Sequence, residues 1–587
     1  MLVNSLHQQI NAVLINLGIT NPRVNLEHPA DENHGDWSTN VALQYHKQID
    51  GFSNPRTLAE KIVTELKNNL NDLPEIWQIE IAGPGFINFK LAHEYFRTQT
   101  IKLAETKPQA LFKELTTKNK AKKAIVEYSS PNIAKPFTIG HLRSTIIGDA
   151  IANLYEAIGW QVLRDNHLGD WGTQFGKLIY AIKTWGDQAE IAKSDRPIKE
   201  LVQLYVKFHD EAEKEPEIEN AGRAWFKKLE EGDPEAKALW QWCIDLSWQE
   251  FQQIYGELGV SFSENNGRGY GESFFEDKMT EVVKLLESKL TPEDAVTNGA
   301  HYAEGENGAK LIFFENGQYP PLMVLKQDGA TLYSTRDFAT DYYRFKKEKP
   351  DLIVNEVGAE QALYFQQIYA VEQIMGWYQP GQRVHVKHGL YRFKDKKMST
   401  RKGNVIWLED VIDEAKNRAE TLAENNKTVA HVVAIGALKW NDLKSETSRD
   451  IIFDWDEILS MKGNSGPYVQ YAAVRAKSVL RKAALEEFSP AFGDDSWKLD
   501  QVELNLARHL DRFVELVEKA ATEFAPHHLA GYLFELAQRF NAFYNTHQII
   551  NAENSDARER RTVLTQATAN VLEYGLGLLG VQTPEEM

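Results

Sequence analysis

The chain has 587 residues, 42% of them hydrophobic, which is enough apolar mass for several cores and, by length alone, roughly four domains. Its net charge is −18, from 66 basic and 84 acidic side chains, so bulk electrostatics repel a polyanion and any nucleic-acid partner must be met by local basic patches. One cysteine, Cys243, excludes an internal disulfide and a cysteine-based zinc cluster, fits a reducing compartment, and reads as a small buried apolar residue.

The N-terminus predicts an amphipathic helix, because Leu2, Val3, Leu6, Ile10, Val13, Leu14 and Leu17 recur every three or four positions. No lysine or arginine precedes Arg23, so this is not a signal peptide, and no apolar run approaches the roughly 20 residues of a membrane span. Residues 1–112 close with strand-like Ile79-Glu80-Ile81, the turn Gly83-Pro84-Gly85 and a second strand from Phe86 to Leu91, a small α+β domain. A lysine-rich linker, 113–122, leads into an α/β region, 123–405. Its strand signals Ile125-Val126, Val162-Leu163, Ile353 to Val357 and Val384 to Lys387 alternate with helices, which predicts a parallel sheet with right-handed crossovers. The charge-rich helical stretch at about 187–269 is an insertion, and 406–454 is a connecting segment. From Trp455 to residue 587 the pattern is wholly helical, with single apolar stripes over Tyr468 to Ala484, Leu504 to Ala521 and His528 to Tyr544.

Two stretches carry chemistry. The first, Ser130-Pro131-Asn132-Ile133-Ala134-Lys135-Pro136-Phe137-Thr138-Ile139-Gly140-His141, lies where a strand hands over to a helix, so backbone N–H groups, a positive helix end and an imidazole are offered to a phosphate chain. The second, Lys396-Lys397-Met398-Ser399-Thr400-Arg401-Lys402-Gly403-Asn404, is a basic loop suited to placing ammonium groups on a phosphate as negative charge develops. Each alone also reads as an ordinary helix start or a solvated lysine loop; together, in this order and context, they are far more specific.

Thr138-Ile139-Gly140-His141 and Lys397-Met398-Ser399-Thr400-Arg401 resemble the HIGH and KMSKS signatures of class I aminoacyl-tRNA synthetases. The strings Ser129 to Pro136 and Leu168-Gly169-Asp170-Trp171-Gly172-Thr173-Gln174-Phe175-Gly176 narrow the resemblance to arginyl-tRNA synthetases. His34 to Asn40 and Gly83 to Asn88 resemble that family's extra N-terminal domain, and Tyr468 to Arg475 with Leu578 to Met587 its helical anticodon-binding domain. The resemblance implies a Rossmann-like catalytic domain with a helical insertion, an N-terminal α+β domain and a C-terminal all-α bundle. Two positions depart from the signatures: Thr138 replaces the first histidine and Thr400 the second lysine, with Lys402 as the substitute cation.

The same resemblance implies ATP-dependent activation of L-arginine and transfer to tRNA(Arg), with Mg2+ accompanying ATP, no zinc, tRNA needed for activation, and a monomeric cytoplasmic enzyme. It assigns catalysis to His141, Lys397 and Lys402, and ATP contacts to Lys135, Thr138, Gly140, His141, Met398 and Ser399. His388 and Gly389 are either adenine contacts or a plain strand-end turn. Arginine contacts fall on Glu127, Asn132, Tyr333, Asp337 and Gln361, since a planar five-donor guanidinium is best held by carboxylates. Left to themselves, Glu127 could be a strand-end acid facing water, and Asp337 could pair with Arg336. Phe86 and Asn88 are expected at the tRNA D-loop, and Tyr468, Tyr471, Arg475 and Arg481 at the anticodon side, where aromatics can equally be core. A non-catalytic tRNA-binding paralogue, or an HxGH nucleotidyltransferase acting without RNA, are the other readings.

Overall fold

The computed structural model describes residues 2–68, 73–393, 406–485 and 498–587. The chain forms two compact units, one of Met1–Pro108, Arg475–Phe513 and Glu535–Val571, the other of Gln109–Val474, Val514–Phe534 and Leu572–Met587.

In the first unit, helix α1 (Leu2–Asn16) buries the expected stripe of Leu2, Leu6, Ile10, Val13 and Leu14. With helix α2 (Pro55–Asn68) it accompanies an antiparallel sheet in the order β1-β3-β2, of β1 (Trp37–Thr39), β2 (Ile76–Ala82) and β3 (Phe86–Leu91), followed by helix α3 (His93–Glu105). Polar contacts bind this N-terminal part to C-terminal residues of the same unit: Arg508 pairs with Asp36 at 2.7 Å, and Arg539 with Glu32 at 2.6 Å.

The second unit is built on β4 (Lys123–Glu127), helix α4 (Ile139–Ala157) and β5 (Gln161–Asp165). The helices α6 (Pro197–Lys214), α7 (Glu217–Glu230) and α8 (Pro234–Leu258) lie in the stretch expected as a helical insertion, and α5 (Thr173–Trp185), which precedes that stretch, shares a small core with α6 and α7 through Ala181, Phe208 and Ile218. After helix α9 (Met279–Lys289) comes an antiparallel sheet of β6 (Ala300–Glu304), β7 (Lys310–Phe314) and β8 (Leu322–Leu325), which the sequence reading did not anticipate. Its strands run four or five residues, and their apolar side chains Tyr302, Ile312, Phe314 and Val324 join one core with Ile125, Phe338 and Ile353. Helix α10 (Tyr333–Tyr343), β9 (Leu352–Gly358), helix α11 (Ala362–Ile374) and β10 (Arg383–His388) complete a fully parallel sheet in the order β10-β9-β4-β5. The chain leaves β4 toward β5 and returns on the other side to β9, so the switch in direction lies at β4 and β9, where a ligand crevice is expected beyond the carboxyl ends. The short pair β11 (Tyr391–Phe393) and β12 (Ile451–Phe453) and helices α12 (Leu408–Ala419) and α13 (Lys427–Leu443) follow.

The segment expected as a linker contains a helix, Lys113–Asn119, and its buried Asn119 donates to the Ile158 carbonyl at 2.9 Å. The C-terminal helices are α14 (Gly466–Leu485), α15 (Gln501–Asp511), α16 (Phe513–Thr522), α17 (Pro526–Thr546) and α18 (Ser555–Leu578). The single stripe over Leu504 to Ala521 is divided between α15 and α16, because the Arg512 N–H bonds back to His509, a tightened turn that ends α15. Cys243 is buried, as expected. Among the described residues no helix is long and apolar enough to cross a membrane.

Candidate active site

The loop between β4 and α4 is held in a conformation that its residue types resist. Ser129, Ser130 and Ala134 have φ of +70°, +47° and +55°, a region that side chains with a Cβ seldom occupy. Contacts from three directions fix it. The Ser129 N–H donates to Ser144 Oγ of α4 at 2.9 Å, the Ser130 N–H to Asn166 Oδ1 at 3.0 Å, and the Ala134 N–H to Ser247 Oγ of the insertion at 3.1 Å. Asn132 is exposed and bridges Gly169, where an added Cβ would lie 2.5 Å from the Asn132 side-chain oxygen.

Thr138 starts α4 in extended conformation, and its backbone N–H donates to His141 Nδ1 at 3.0 Å, with Thr138 Oγ1 also 3.0 Å away. That bond places the proton of the neutral ring on Nε2. Burial pushes His141 below its ordinary pKa, and nearby His388 adds to this, so the neutral form prevails near pH 7. His388, at the end of β10, makes an ion pair with Glu356 of β9 at 2.9 Å; burial pulls its pKa down, but Glu356 more than offsets this and raises it. Gly389 is buried, and an added Cβ would approach the Arg449 carbonyl carbon to 2.6 Å, so the chain packs closely at this glycine. Lys135 lines a small cleft with Gln174, Phe175 and Tyr205. Lys397, Met398, Ser399 and Lys402 lie outside the described residues, but the chain just beyond them is tied to the helix start: the Ile139 N–H donates to the Ile406 carbonyl at 3.1 Å, and Leu408 N–H to Phe137 at 2.9 Å.

The acidic half of the site brings in a cation that the sequence reading did not include, Arg344. Glu127 is not a strand-end acid in water: Arg344 pairs with its Oε2 at 2.7 Å and with Asp165 at 2.6 Å. Burial pushes the Glu127 carboxyl up, but the Arg344 guanidinium wins and holds it below its ordinary range. Asp341, Arg383 and Glu372 extend this buried charge network, with Arg383 2.8 Å from Asp341 and 2.7 Å from Glu372. Asp337 is one turn from Tyr333 on α10 and accepts a hydrogen bond from Tyr364, whose ring lies 5.0 Å from that of Tyr333. It does not pair with Arg336, which goes to Glu276 at 3.0 Å and Glu272 at 3.5 Å. Burial lifts Asp337 to about 6, and Glu127 is close enough to add to that lift. Tyr333 is 60% exposed and Gln361 is exposed at the start of α11, so both stand at the rim.

A family model described as tRNA synthetases class I (R), catalytic domain, matches residues 107–455. Models of the arginyl tRNA synthetase N terminal domain and the DALR anticodon binding domain match residues 4–91 and 469–587. The arginine–tRNA ligase of Clostridium perfringens is 44% identical over 79% of this chain and 80% of its own, and that of Streptococcus suis is 41% identical over 91% of each. The chain belongs to the arginyl-tRNA synthetase family. The arginyl-tRNA synthetase structure from Plasmodium falciparum aligns with a TM-score of 0.79 at 25% identity, covering 100% of this chain and 99% of that one. The one from Thermus thermophilus has the same fold, at a TM-score of 0.79 and 24% identity over 100% of both chains.

The residues expected at the RNA are placed less uniformly than the family resemblance implies. Phe86 is half-buried on β3, whereas Asn88 is buried and accepts from Ser38 Oγ at 2.7 Å, so its side chain faces inward rather than toward a partner. In the first unit Arg475 donates to Asn541 at 2.6 Å with its guanidinium 5.0 Å over Tyr544, and Arg481 is exposed. In the second, Tyr471 is half-buried and Tyr468 packs 5.6 Å from Phe534. Phe540 and Phe543 are fully buried core. Sequence reasoning missed Arg344, Glu356 and His167. Arg344 is separated by more than 200 positions from the carboxylate it holds, and no local pattern links them; His167 stands one residue before the quoted Leu168–Gly176 string.

Proposed function

We propose that the crevice at the carboxyl ends of β4, β9 and β10 joins L-arginine to tRNA(Arg) in two steps, through arginyl-adenylate. The observation that carries this reading is the convergence of two half-buried carboxylates, Glu127 and Asp337, beside a helix start that presents a neutral His141. The guanidinium of arginine lies against Asp337 and the remaining oxygen of Glu127, with Tyr333, Asn132 and Gln361 contacting the rest of the amino acid. Arg344 holds Glu127 ionised and fixed, so the pocket is set before substrate enters.

ATP enters with Mg2+ as part of the substrate. The arginine carboxylate attacks the α-phosphorus and pyrophosphate leaves; the growing negative charge is met by His141 Nε2–H, by the first turn of α4 at Gly140, and by Lys397 and Lys402. Lys135, Thr138, Met398 and Ser399 line the nucleotide, and His388 borders His141. In the second step the terminal ribose hydroxyl of tRNA attacks the adenylate carbonyl and AMP departs. Positioning suffices there, and no general base is assigned. Phe86, Tyr468, Tyr471, Arg475 and Arg481 contact tRNA. The enzyme works as a zinc-free monomer in the cytoplasm; its single cysteine supports the absence of a cysteine-based zinc cluster and a reducing compartment. Arginine-dependent exchange of pyrophosphate into ATP, measured with and without tRNA, tests the activity: exchange is expected with tRNA present, and none under either condition would leave a non-catalytic tRNA-binding protein.

A further inference from the structure

His167 follows β5 by two residues, and its Nδ1 is buried and unpartnered among the described residues. Its ligating nitrogen and the carboxylate oxygens of Glu127 and Asp165 lie within 4.8 Å of one another, and the ring packs 5.7 Å from Phe275. A metal is not needed to explain this cluster, since Arg344 already bonds both carboxylates. The charges facing the ring are Glu127 from β4, Asp165 from β5, Asp170 from the following loop, Glu272, Asp337 from α10, and Arg344. Five are acids and one is a base. Asp170 is held by Ser273, Glu272 pairs with Arg336, and Glu127 and Asp165 share Arg344. Among the described residues Asp337 is bonded by the neutral hydroxyl of Tyr364 and by no cation. Burial works against a charged ring, but Glu127, Asp165 and Asp337 outweigh it and lift His167 above its ordinary value.

We propose that His167 is a positioning and specificity residue of the guanidinium pocket: without arginine its imidazolium supplies the cation that Asp337 requires, and arginine binding expels the ring proton to solvent. The bookkeeping balances, because a guanidinium enters as one proton leaves a ring nitrogen and the pocket keeps its charge. An uncharged analogue of arginine cannot make the exchange, so the pocket rejects it. This inference rests on the reading that Glu127 and Asp337 hold the guanidinium.

The test is isothermal titration of L-arginine into the full-length enzyme at pH 7 in phosphate and in Tris, whose ionisation enthalpies differ. The wild type should release up to about one proton per arginine, and its arginine Kd should rise by up to about tenfold per pH unit as pH falls below the ring's pKa. In His167→Asn the proton release should vanish and the rise above pH 6 should flatten, with the ATP KM unchanged; what remains near pH 6 belongs to Asp337. His167→Gln, of different length, guards against a folding defect in the first variant. A buffer-independent enthalpy in the wild type, or an equal proton count in a folded variant, overturns the proposal. An unchanged arginine Kd in Asp337→Asn would instead remove the pocket assignment itself, whatever His167 does.

Discussion

Thr138 occupies the place of a signature histidine, and the structure explains how the site tolerates it. The bond that orients His141 comes from the Thr138 backbone, which any residue but proline can supply; the hydroxyl adds a second contact at the same 3.0 Å. Thr138→Ala should therefore lower kcat by less than tenfold, whereas His141→Ala, which on the proposed mechanism removes a donor to the developing charge, should lower it by about 100-fold or more in pyrophosphate exchange. At Asp337 the ionised carboxylate is the form that binds a cation, and its pKa is lifted to about 6. The arginine KM should accordingly rise as pH falls through that value, and Asp337→Asn should raise it about 10- to 100-fold at pH 7.5 while sparing the KM for ATP. Steady-state kinetics from pH 5.5 to 8 checks both.

Helix α4 does more than present its first turn. Gly148 lets it lie directly on the chain leaving β4: an added Cβ would sit 2.2 Å from Tyr128 Cβ. One turn nearer the site, Arg143 pairs with Asp442 of α13 at 3.0 Å and donates to the carbonyls of Arg449 and Thr447 at 2.7 and 3.1 Å, which fixes the turn against which Gly389 packs. Both partners are 1% exposed. Asp442→Ala leaves a buried guanidinium without its counter-charge and should cost about 3–5 kcal/mol, read as a lower urea midpoint. Gly148→Ala should cost about 1–3 kcal/mol by overpacking and also lower kcat, because the displaced helix carries His141. The apolar runs that predicted β4 and β9 sit in the two central, buried strands of the parallel sheet, where continuous apolar stretches are expected, whereas β10 at the edge alternates apolar and polar residues. The strands β6 to β8 left a weaker mark, being short and interrupted by glycine-containing turns.

At the scale of the molecule, a net charge of −18 leaves tRNA binding to local cations. The patch at Lys122 and Lys123 is partly spent on the protein itself, with Lys122 5.0 Å over Trp160 and Lys123 paired to Glu348 at 3.3 Å. Arg481 is exposed on α14. Arg481→Ala should raise the tRNA KM and reduce the slope of its logarithm against that of salt concentration by about one, leaving arginine kinetics untouched. The sequence by itself determined the parallel sheet, the helical insertion, the helical C-terminal part and the two signature stretches, because each is written in periodicity or in adjacent residues. Only the tertiary structure decided which charges meet. That Arg344 holds Glu127, that Asp337 faces a tyrosine rather than Arg336, that Asn88 turns inward and that His167 stands near Glu127, Glu272 and Asp337 depend on contacts between residues far apart in the chain, where burial and Coulomb energy, rather than local pattern, choose the partner.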